Sequence, residues 1–320
     1  MQTLPLVIVN PASAGGATAR EWPAIAHALA THFGAFKCAF TTKAGEGRLI
    51  ALREASEGRR LLIACGGDGT VSEVANGILE AGVKTTELGI LPSGTGGDFR
   101  RTLLIPTRTR DAATVLRTGK TRTIDVGRVT YINHAGETES RFFLGVSSCG
   151  LSGKVIERVK GEKKGWLPFQ GARRKLGGGK ISFAISTLQT TLSSENTALR
   201  IQLDDRPERR LTVANFCVAN ARYFGGGMKI APSAKINDGR FDCIVIGDLS
   251  ALDILSNGYK LYTGTHLNLE RVYQAHASRV RVHPAKNDDH VALEVDGELP
   301  GHLPASFEII PGALRVRCPE

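Results

Sequence analysis

Two hydrophobic periods alternate along the first 120 residues of the chain. Short continuous apolar runs predict buried strands, and they are separated by segments whose apolar residues have the spacing of an amphipathic helix. The predicted strands are residues 6–9, 36–40, 61–64 and 88–91. This βαβα order predicts a parallel sheet covered by helices, in which ligands bind at the carboxyl ends of the strands.

After about residue 122 the apolar runs become rich in β-branched and aromatic residues. Such runs, with few helices between them, predict a mostly antiparallel β-sandwich. The predicted strands are residues 122–131, 141–146, 199–203, 211–219, 240–246, 272–282 and 291–295. A helical segment is predicted at 250–264, and the run 307–316 is predicted to return to the first domain.

Small and polar residues follow each of the four predicted strands of the first domain. These turns cover residues 10–16, 41–45, 66–70 and 92–98, and each contains glycine. Glycine lets backbone N–H groups approach phosphate oxygens at a helix amino terminus. Because the carboxyl ends of parallel strands meet at one edge of a sheet, the four turns together predict a site for an anion or a nucleotide.

The length of 320 residues exceeds the roughly 100 to 200 residues of a usual domain, so two domains are expected. We place the first at residues 1–127, completed by 304–320, and the second at 128–303. The predicted fold class is α/β plus β. An N-terminal three-layer nucleotide-binding domain with a parallel sheet is followed by a mostly antiparallel β-sandwich domain.

The charge balance is basic, with a formal net charge of +10, which favours anionic partners. Residues 154–180 hold nine Lys or Arg against two Glu, and Trp166, Leu167 and Phe169 lie among them. A solvated loop and a segment that contacts a surface are both open interpretations. The charge is not accompanied by a helix-turn-helix, zinc-finger or aromatic single-strand pattern, so we expect no nucleic-acid partner.

The six cysteines stand singly, without a Cys-x-x-Cys pair or a histidine at zinc-ligand spacing. This pattern predicts neither a disulfide framework nor a structural zinc site. The amino terminus lacks a basic region followed by an apolar core, and no stretch reaches the roughly 18 apolar residues of a membrane span. We therefore expect a soluble, cytoplasmic protein.

The stretch GGDGTVSEVANG at residues 66–77 resembles the signature of the diacylglycerol kinase catalytic-domain family, which includes soluble bacterial lipid kinases and the sphingosine and ceramide kinases. Further matches follow in the family's order across nearly the whole chain. They are Asn10-Pro11 with Ser13 and Gly15, Thr41 with Gly45, Gly94-Thr95 with Asp98-Phe99, residues 124–127, residues 223–228 and 238–242, and Asp296-Gly297-Glu298. NAD kinases and phosphofructokinases share the Gly-Gly-Asp-Gly turn, whereas the Gly-Gly-Gly-Met and Asp-Gly-Glu elements are typical of the lipid kinases.

The resemblance implies Mg²⁺-dependent transfer of the γ-phosphoryl group of ATP to a lipid hydroxyl. Diacylglycerol is the expected acceptor, while ceramide, a sphingoid base or another lipid alcohol stays open. Glu298 is the implied general base, and Asp68 is the second expected catalytic residue. The expected nucleotide-binding residues are Asn10, Ser13, Thr41, Gly66, Gly67, Asp68, Gly69, Thr70, Val71, Ser72, Gly94 and Thr95. On the residues alone, Asp68 could equally cap a turn and Asp296-Gly297 could form a plain hairpin.

Residues 235–240 match a family loop that binds magnesium through one carboxylate and neighbouring backbone carbonyls. The resemblance implies Asp238 as the carboxylate, with the main-chain oxygens of Lys235 and Arg240 beside it. Asp125 is expected to join through water. A turn without a metal is the alternative for Asp238.

Two other functions stay open at this point: a kinase of a soluble substrate such as NAD, and a nucleotide-binding regulator without catalysis. The second is prompted by Gly96-Gly97, which stand where the family usually has Ala-Asn. A lipid kinase without a membrane span must dock on a bilayer. Transient membrane association is therefore expected, with segment 154–180 binding anionic lipid head groups. The sequence does not indicate an oligomeric state.

Overall fold

A computed structural model describes residues 4–93, 97–164 and 195–320. Its first part is built on four parallel strands that follow the predicted apolar runs closely. They are β1 (Leu6–Val9), β2 (Lys37–Phe40), β3 (Leu61–Gly66) and β4 (Glu87–Pro92), paired in the order β2-β1-β3-β4. Every residue of β1 and β3 is buried, as expected for strands covered on both faces.

Five helices connect and cover these strands. They are α1 (Ser13–His32), α2 (Glu46–Ser56), α3 (Asp68–Glu80), α4 (Asp98–Thr102) and α5 (Thr109–Thr118). Leu29 of α1, Val74 of α3 and Leu116 of α5 pack into one apolar core with the strands. Since β3 ends at Gly66 and α3 begins at Asp68, the amino terminus of α3 lies at the carboxyl edge of the sheet.

The second part is a β-sandwich in which neighbouring strands pair antiparallel. Its strands are β5 (Lys120–Asn133), β6 (Thr138–Phe143), β7 (Val146–Gly150), β8 (Thr197–Leu203), β9 (Arg209–Val213), β10 (Asn215–Ala219), β11 (Phe241–Ile246), β12 (Val272–Ala277), β13 (Arg279–Pro284), β14 (Ala292–Val295) and β15 (Glu298–Cys318). The helices are α6 (Leu151–Lys164), α7 (Ala251–Asn257) and α8 (Lys260–Thr263), with a 3₁₀ turn at His266–Asn268. A second apolar core lies inside this part and includes the stacked rings of Phe143 and Phe241. The predicted fold class is thereby confirmed.

The long strand β15 joins the two parts of the fold. It pairs antiparallel with β14, β13 and β5, and it then runs parallel to β4 through Arg315 and Val316. One hydrogen-bonded path of strands therefore continues from the first part into the second. The domain boundaries drawn from the sequence stay predictions.

Three of the predicted strands were wrong in extent, because each is two strands separated by a bend. The predicted single strands 141–146, 211–219 and 272–282 break at Gly145, Ala214 and Ser278. At the third bend, the carboxylate of Asp204 accepts the amide and the hydroxyl of Ser278. The chain can then leave β11, the partner of β12, and pair as β13 with β8 and β15.

The helices of the described residues differ from membrane-spanning helices. None of them combines the length and the hydrophobicity that crossing a bilayer needs.

Candidate active site

The amino terminus of α3 is the centre of the first half of the site. Gly67 precedes the helix with an extended backbone, and the first helical N–H groups have no carbonyl partner within the helix. A Cβ on Gly66 would lie 2.3 Å from Thr70 Oγ1 and 2.9 Å from Ser13 Oγ, so these two hydroxyls pack directly on the glycine. A Cβ on Gly67 would meet nothing within 4 Å. The helix terminus is therefore open toward an anion, which its dipole favours.

The loop after β1 is hydrogen-bonded to the same helix. The Asn10 side chain donates through Nδ2 to Thr70 Oγ1 at 3.1 Å, and its Oδ1 accepts the amide of Ala12 at 3.0 Å. Ala14, Gly15 and Gly16 then take left-handed conformations, with φ of 55°, 65° and 84°. The structure thus brings the predicted residues Asn10, Ser13, Gly66 and Thr70 together.

The turn after β2 is held by a residue that the sequence analysis did not single out. Glu73, on α3, accepts the amides of Gly45 at 2.8 Å and Gly47 at 2.9 Å. Thr41 is buried beside this turn, and its amide donates to the carbonyl of Val9. The amide of Val71 donates to the carbonyl of Gly67, and the Val71 side chain packs in the core. The buried hydroxyl of Ser72 has no hydrogen-bond partner among the described residues.

Asp68 contacts the beginning of the next element. Its carboxylate accepts the amides of Gly97 at 2.7 Å, Asp98 at 3.0 Å and Phe99 at 3.3 Å. These bonds cap α4, so the capping role that the residues alone allowed is present in the structure. A contact of Asp68 with nucleotide or acceptor stays a prediction, and the predicted residues Gly94 and Thr95 lie outside the described residues.

The second half of the site is the hairpin between β14 and β15. Val295 pairs with Glu298 across a two-residue turn, in which Asp296 and Gly297 have φ of 48° and 86°. These values fit a tight β-hairpin with both central residues left-handed. The Asp296 carboxylate accepts the amides of Leu144 and Gly145, and this fixes the turn against the start of β7. The hairpin interpretation and the implied role of Glu298 are therefore compatible, since the turn presents Glu298 at its end.

Burial raises the pKa of Asp296 to about 6, although its amide bonds and the Arg141 guanidinium act to lower the pKa. The negative charge of Asp68 acts in the raising direction. Asp68 of the first half and Asp296 of the second half are therefore close enough for their charges to interact.

Glu298 lies close to the amino terminus of α3. Glu298 Oε1 lies 3.9 Å from the position that a Cβ on Gly69 would occupy. Its other oxygen, Oε2, accepts Arg141 Nη1 at 3.0 Å. Burial lowers the pKa of Arg141, but the attraction of Glu298 and Asp296 outweighs that effect and the pKa is raised. Arg141 was missed in the sequence because it lies in β6, outside the quoted motifs.

Two further side chains of the first half form hydrogen bonds with the second half. Asp98 accepts the amide of Gly226 at 2.7 Å and forms an ion pair with Arg101. Burial raises the pKa of Asp98. Asn76, on α3, accepts the amide of Phe142 at 3.0 Å and donates to the carbonyl of the same residue at 3.1 Å. Because Phe142 is next to Arg141, this pairing sets the position of the Arg141–Glu298 ion pair relative to α3.

The residues of the predicted metal loop lie around Asp125. The buried carboxylate of Asp125 accepts the amides of Gly239 at 2.7 Å and Gly312 at 2.8 Å. Lys235, Asp238 and Arg240 are exposed in the same loop, and Asp238 accepts the amide of Arg240 at 3.3 Å. In the part of the chain that the structure covers, no group of three or more His, Cys, Asp or Glu side chains could hold a metal ion. A site here would need backbone carbonyls, as the resemblance implies.

Only the start of the basic segment 154–180 is described, as part of α6. Lys154 donates to the carbonyl of Glu195, where the described chain resumes. The predicted membrane-contacting residues Trp166, Leu167 and Phe169 lie outside the described residues.

The structure thus brings the open helix terminus of the parallel α/β half close to a carboxylate of the β-sandwich half. Residues 5–129 match the family model of the diacylglycerol kinase catalytic domain, and residues 170–318 match that of the YegS C-terminal NAD kinase beta sandwich-like domain. The chain belongs to the diacylglycerol kinase catalytic-domain family, a family of kinases.

Individual relatives agree with this assignment. The chain is 28% identical to the diacylglycerol kinase of Bacillus subtilis over 83% of its length and 80% of that protein. It is 28% identical to that of Mycobacterium tuberculosis over 86% and 82%. A crystal structure of a diacylglycerol kinase from Bacillus anthracis has the same fold, with a TM-score of 0.69, 22% identity and coverage of 98% and 96% of the two chains.

Proposed function

We propose that this protein is an ATP-dependent lipid kinase that transfers the γ-phosphoryl group to a lipid hydroxyl, with diacylglycerol as the acceptor. The observation that carries the proposal is the position of Glu298, whose Oε1 lies beside Gly69 at the open terminus of α3. Family membership supports a lipid kinase, and the relatives named above support the choice of acceptor. A carboxylate next to a phosphate-binding helix terminus is what alcohol phosphorylation requires.

The phosphate side of the reaction is assigned to the first half of the cleft. The N–H groups at the start of α3 and the hydroxyls of Ser13 and Thr70 are donors that suit phosphate oxygens. The space over Gly67 is free of other described atoms within 4 Å of a Cβ position, and a phosphate group fits such a cradle. Asp68 keeps the neighbouring segment in place through Gly97 and Asp98.

The acceptor side is assigned to Glu298. An aliphatic hydroxyl is a very weak acid, so a positioned carboxylate accepts its proton as the new P–O bond forms. Arg141 holds Glu298 Oε2, which leaves Oε1 on the side of Gly69. We assign to Arg141 the orientation of the base and to Glu298 the proton transfer.

Magnesium is proposed at the 235–240 loop, with Asp238, the carbonyls of Lys235 and Arg240, and Asp125 through water. The donor set is all oxygen, as Mg²⁺ prefers, and the exposed Asp238 leaves room for metal-bound waters. When bound, the ion would add positive charge that favours the anionic nucleotide. Asp125 also accepts the amides of Gly239 in this loop and Gly312 in β15, so it holds the loop in shape as well.

The decisive experiment is phosphorylation of a lipid panel with labelled ATP and magnesium, including NAD as a soluble acceptor. We expect labelled lipid from the wild type and a loss of about 10²- to 10⁴-fold in Glu298→Gln, the usual range for removing a general base. Nucleotide binding should persist in the variant. The matched control is Glu137→Gln, an exposed glutamate in the turn between β5 and β6.

Two results would contradict the proposal. Labelling of NAD instead of lipid would favour the soluble-substrate kinase, and no transfer to any acceptor would favour a regulator. Full turnover in Glu298→Gln would move the base to another residue, with Asp68 the first to test.

We propose in addition that the protein docks on anionic membranes through the basic segment 154–180. The described chain resumes at Glu195, and the next residue, Asn196, donates to Asp248 and to the carbonyl of Leu249. These contacts lie just before α7, where large apolar side chains are exposed. Those side chains are Leu252 at 76% exposed, Tyr259 at 64% and Tyr262 at 58%. Exposed tyrosine and leucine side chains, in a chain that also has a basic segment, suit the interface of a bilayer that carries anionic lipid.

A further inference from the structure

Glu294 is a buried carboxyl group directly beneath the turn that presents Glu298. It lies in β14 and is 3% exposed. Its Oε1 accepts the amide of Gly297, in the turn itself, at 2.6 Å. Its Oε2 is within hydrogen-bonding distance of the Ser148 hydroxyl in β7. The reaction proposed above does not use this group, although it touches the backbone that carries the base.

The contact with Ser148 is the first of a chain of polar contacts. Ser148 Oγ lies 2.7 Å from Ser152 Oγ, and Ser152 Oγ lies 2.9 Å from Asn215 Oδ1. The orientation of the Asn215 amide is set independently, because its Oδ1 also accepts the Ser152 backbone N–H at 3.1 Å and its Nδ2 faces Cys217 Sγ at 3.2 Å. Asn215 Oδ1 is therefore an acceptor, and the Ser152 hydroxyl must be the donor of their contact.

The hydrogens along this chain can be counted. The three contacts join Glu294 to Ser148, Ser148 to Ser152, and Ser152 to Asn215, whereas the two serine hydroxyls supply only two hydrogens. With Ser152 donating to Asn215, Ser148 must donate to Ser152, and no serine hydrogen is left for Glu294. An ionised Glu294 would force Ser148 to turn toward it and leave two hydroxyl oxygens facing each other without a hydrogen. A proton on Glu294 Oε2, donated to Ser148, satisfies all three contacts.

We propose that Glu294 is a neutral carboxylic acid in the native protein, with its proton on Oε2, and that it positions the Glu298 turn in this form. Oε1 of a neutral acid still accepts the Gly297 amide, so the turn keeps its support. The neutral form also adds no negative charge beside the phosphate-binding cleft. This last advantage rests on the proposed function, whereas the protonation itself does not.

Burial is the largest influence on Glu294 and favours the neutral form, whereas the hydrogen bond from the Gly297 amide, and one from Ser148 where its hydroxyl donates, act to lower the pKa. Burial raises its pKa from 4.5 to about 7, and the charges of Asp296 in its own hairpin and of Asp98 in α4 act in the same direction. The thiols of Cys149 in β7 and Cys217 in β10 face it as well, and burial raises the pKa of both. From α6 the group in contact is the neutral Ser152, through Ser148.

Isotope-edited infrared spectroscopy tests the protonation directly. In protein labelled with ¹³C-carboxyl glutamate, we expect one protonated-carboxyl C=O band at about pH 6, where exposed glutamates with a pKa of about 4.3 are ionised. The band should be absent in Glu294→Gln and present in the control Glu137→Gln. Because the label excludes aspartate, Asp296 does not contribute. If the wild type lacks the band at about pH 6, the proposal is overturned, whatever the variants do.

The pH dependence of stability gives a second, independent test. A native pKa above the unfolded value means that the native state holds the extra proton, so this contribution to stability falls as pH rises from 4.5 to about 7. Glutamine in place of Glu294 keeps an acceptor for Gly297 and offers an N–H to Ser148, but it does not titrate. We expect Glu294→Gln to gain stability relative to wild type as pH rises through this range, measured by urea unfolding.

The matched control Glu137→Gln should track the wild type at every pH. A constant loss of stability in Glu294→Gln across the range would contradict the neutral acid. Ser148→Ala breaks the chain and should lower the pH at which the infrared band disappears, since the neutral form then loses its acceptor. Neither readout involves lipid or ATP, so a failure here is separate from a failure of the proposed kinase activity.

Discussion

The carboxylate of Asp68, in the glycine-rich turn after β3, caps the next helix. Its oxygens accept three successive backbone amides at the start of α4. A carboxylate is the side chain best suited to this, since both oxygens are acceptors and the dipole of a helix terminus favours negative charge. The bonds connect the glycine-rich turn after β3 to Asp98, whose carboxylate accepts the amide of Gly226 in the second half.

We therefore expect Asp68→Asn to destabilise the protein even without ligands. The amide keeps one acceptor oxygen, but its NH₂ group would face a backbone N–H that needs an acceptor. Leaving such a group unpaired costs about 1 to 3 kcal/mol. Urea unfolding measures the change, with the exposed Asp288→Asn as the control. An Asp68→Asn protein as stable as wild type would show that the capping bonds contribute little and would favour a purely catalytic role.

At the scale of elements, Asp125 is the point where β5, the 235–240 loop and the turn within β15 meet. One carboxylate oxygen accepts from Gly239 in the loop and the other from Gly312 in β15. The backbone carbonyl of Asp125 accepts Asn220, whose amide also donates to Leu144, the residue bonded to Asp296. A continuous set of hydrogen bonds thus links the predicted metal loop to the Glu298 hairpin.

Asp125→Ala is expected to cost about 1 to 3 kcal/mol of stability, because the partly exposed N–H groups of Gly239 and Gly312 lose their acceptor. Thermal unfolding with and without millimolar Mg²⁺ then tests the proposed metal site. The wild type should be stabilised by the ion, since a ligand that binds only the native state raises its stability. Asp238→Asn should keep its stability without the ion and lose the response to it. An equal response to Mg²⁺ in wild type and Asp238→Asn would remove this loop as the site.

At the scale of the whole molecule, the side of the sandwich that carries α7 and α8 groups several large, exposed apolar side chains within a short stretch of the described chain. Leu252 and Tyr259 are more than half exposed, and they follow Leu249, whose carbonyl accepts Asn196 where the described chain resumes. Burial of such side chains in the headgroup region of a bilayer lowers the free energy and so favours binding. The proposed acceptor is a membrane lipid, so docking would place the enzyme beside its substrate.

Vesicle flotation tests this docking surface. We expect binding to vesicles with anionic lipid that weakens with salt, and a reduction of about fivefold in Leu252→Ser, which corresponds to about 1 kcal/mol for a side chain that is partly buried in the bilayer. The matched control is Leu49→Ser, an exposed leucine of α2. Equal binding to neutral vesicles would count against the role of the basic segment, and equal losses in both variants would count against the α7–α8 surface.

Much of this architecture follows from local properties of the chain. The apolar runs of β1, β3 and β4 and the glycine-rich turns after them depend on neighbouring residues only, and hydrophobic period and turn chemistry are local. The three predicted strands that proved to be pairs failed for the opposite reason. The bend at Ser278 depends on Asp204, a residue distant in sequence, and alternating hydrophobicity carries no sign of it.

The sequence by itself determined the order of elements, and it predicted phosphate binding at the α3 terminus and, through family motifs, a catalytic role for Glu298. Only the tertiary structure decided that Glu298 approaches Gly69, that Arg141 orients it, and that Asp68 caps α4. It also decided the surroundings of Glu294. In the sequence Glu294 is an ordinary strand residue, and only the structure shows Ser148, Ser152 and Asn215 next to it. The physical reason is that hydrogen bonds and pKa values depend on atoms a few ångströms apart, and in this fold those atoms come from segments far apart in the chain.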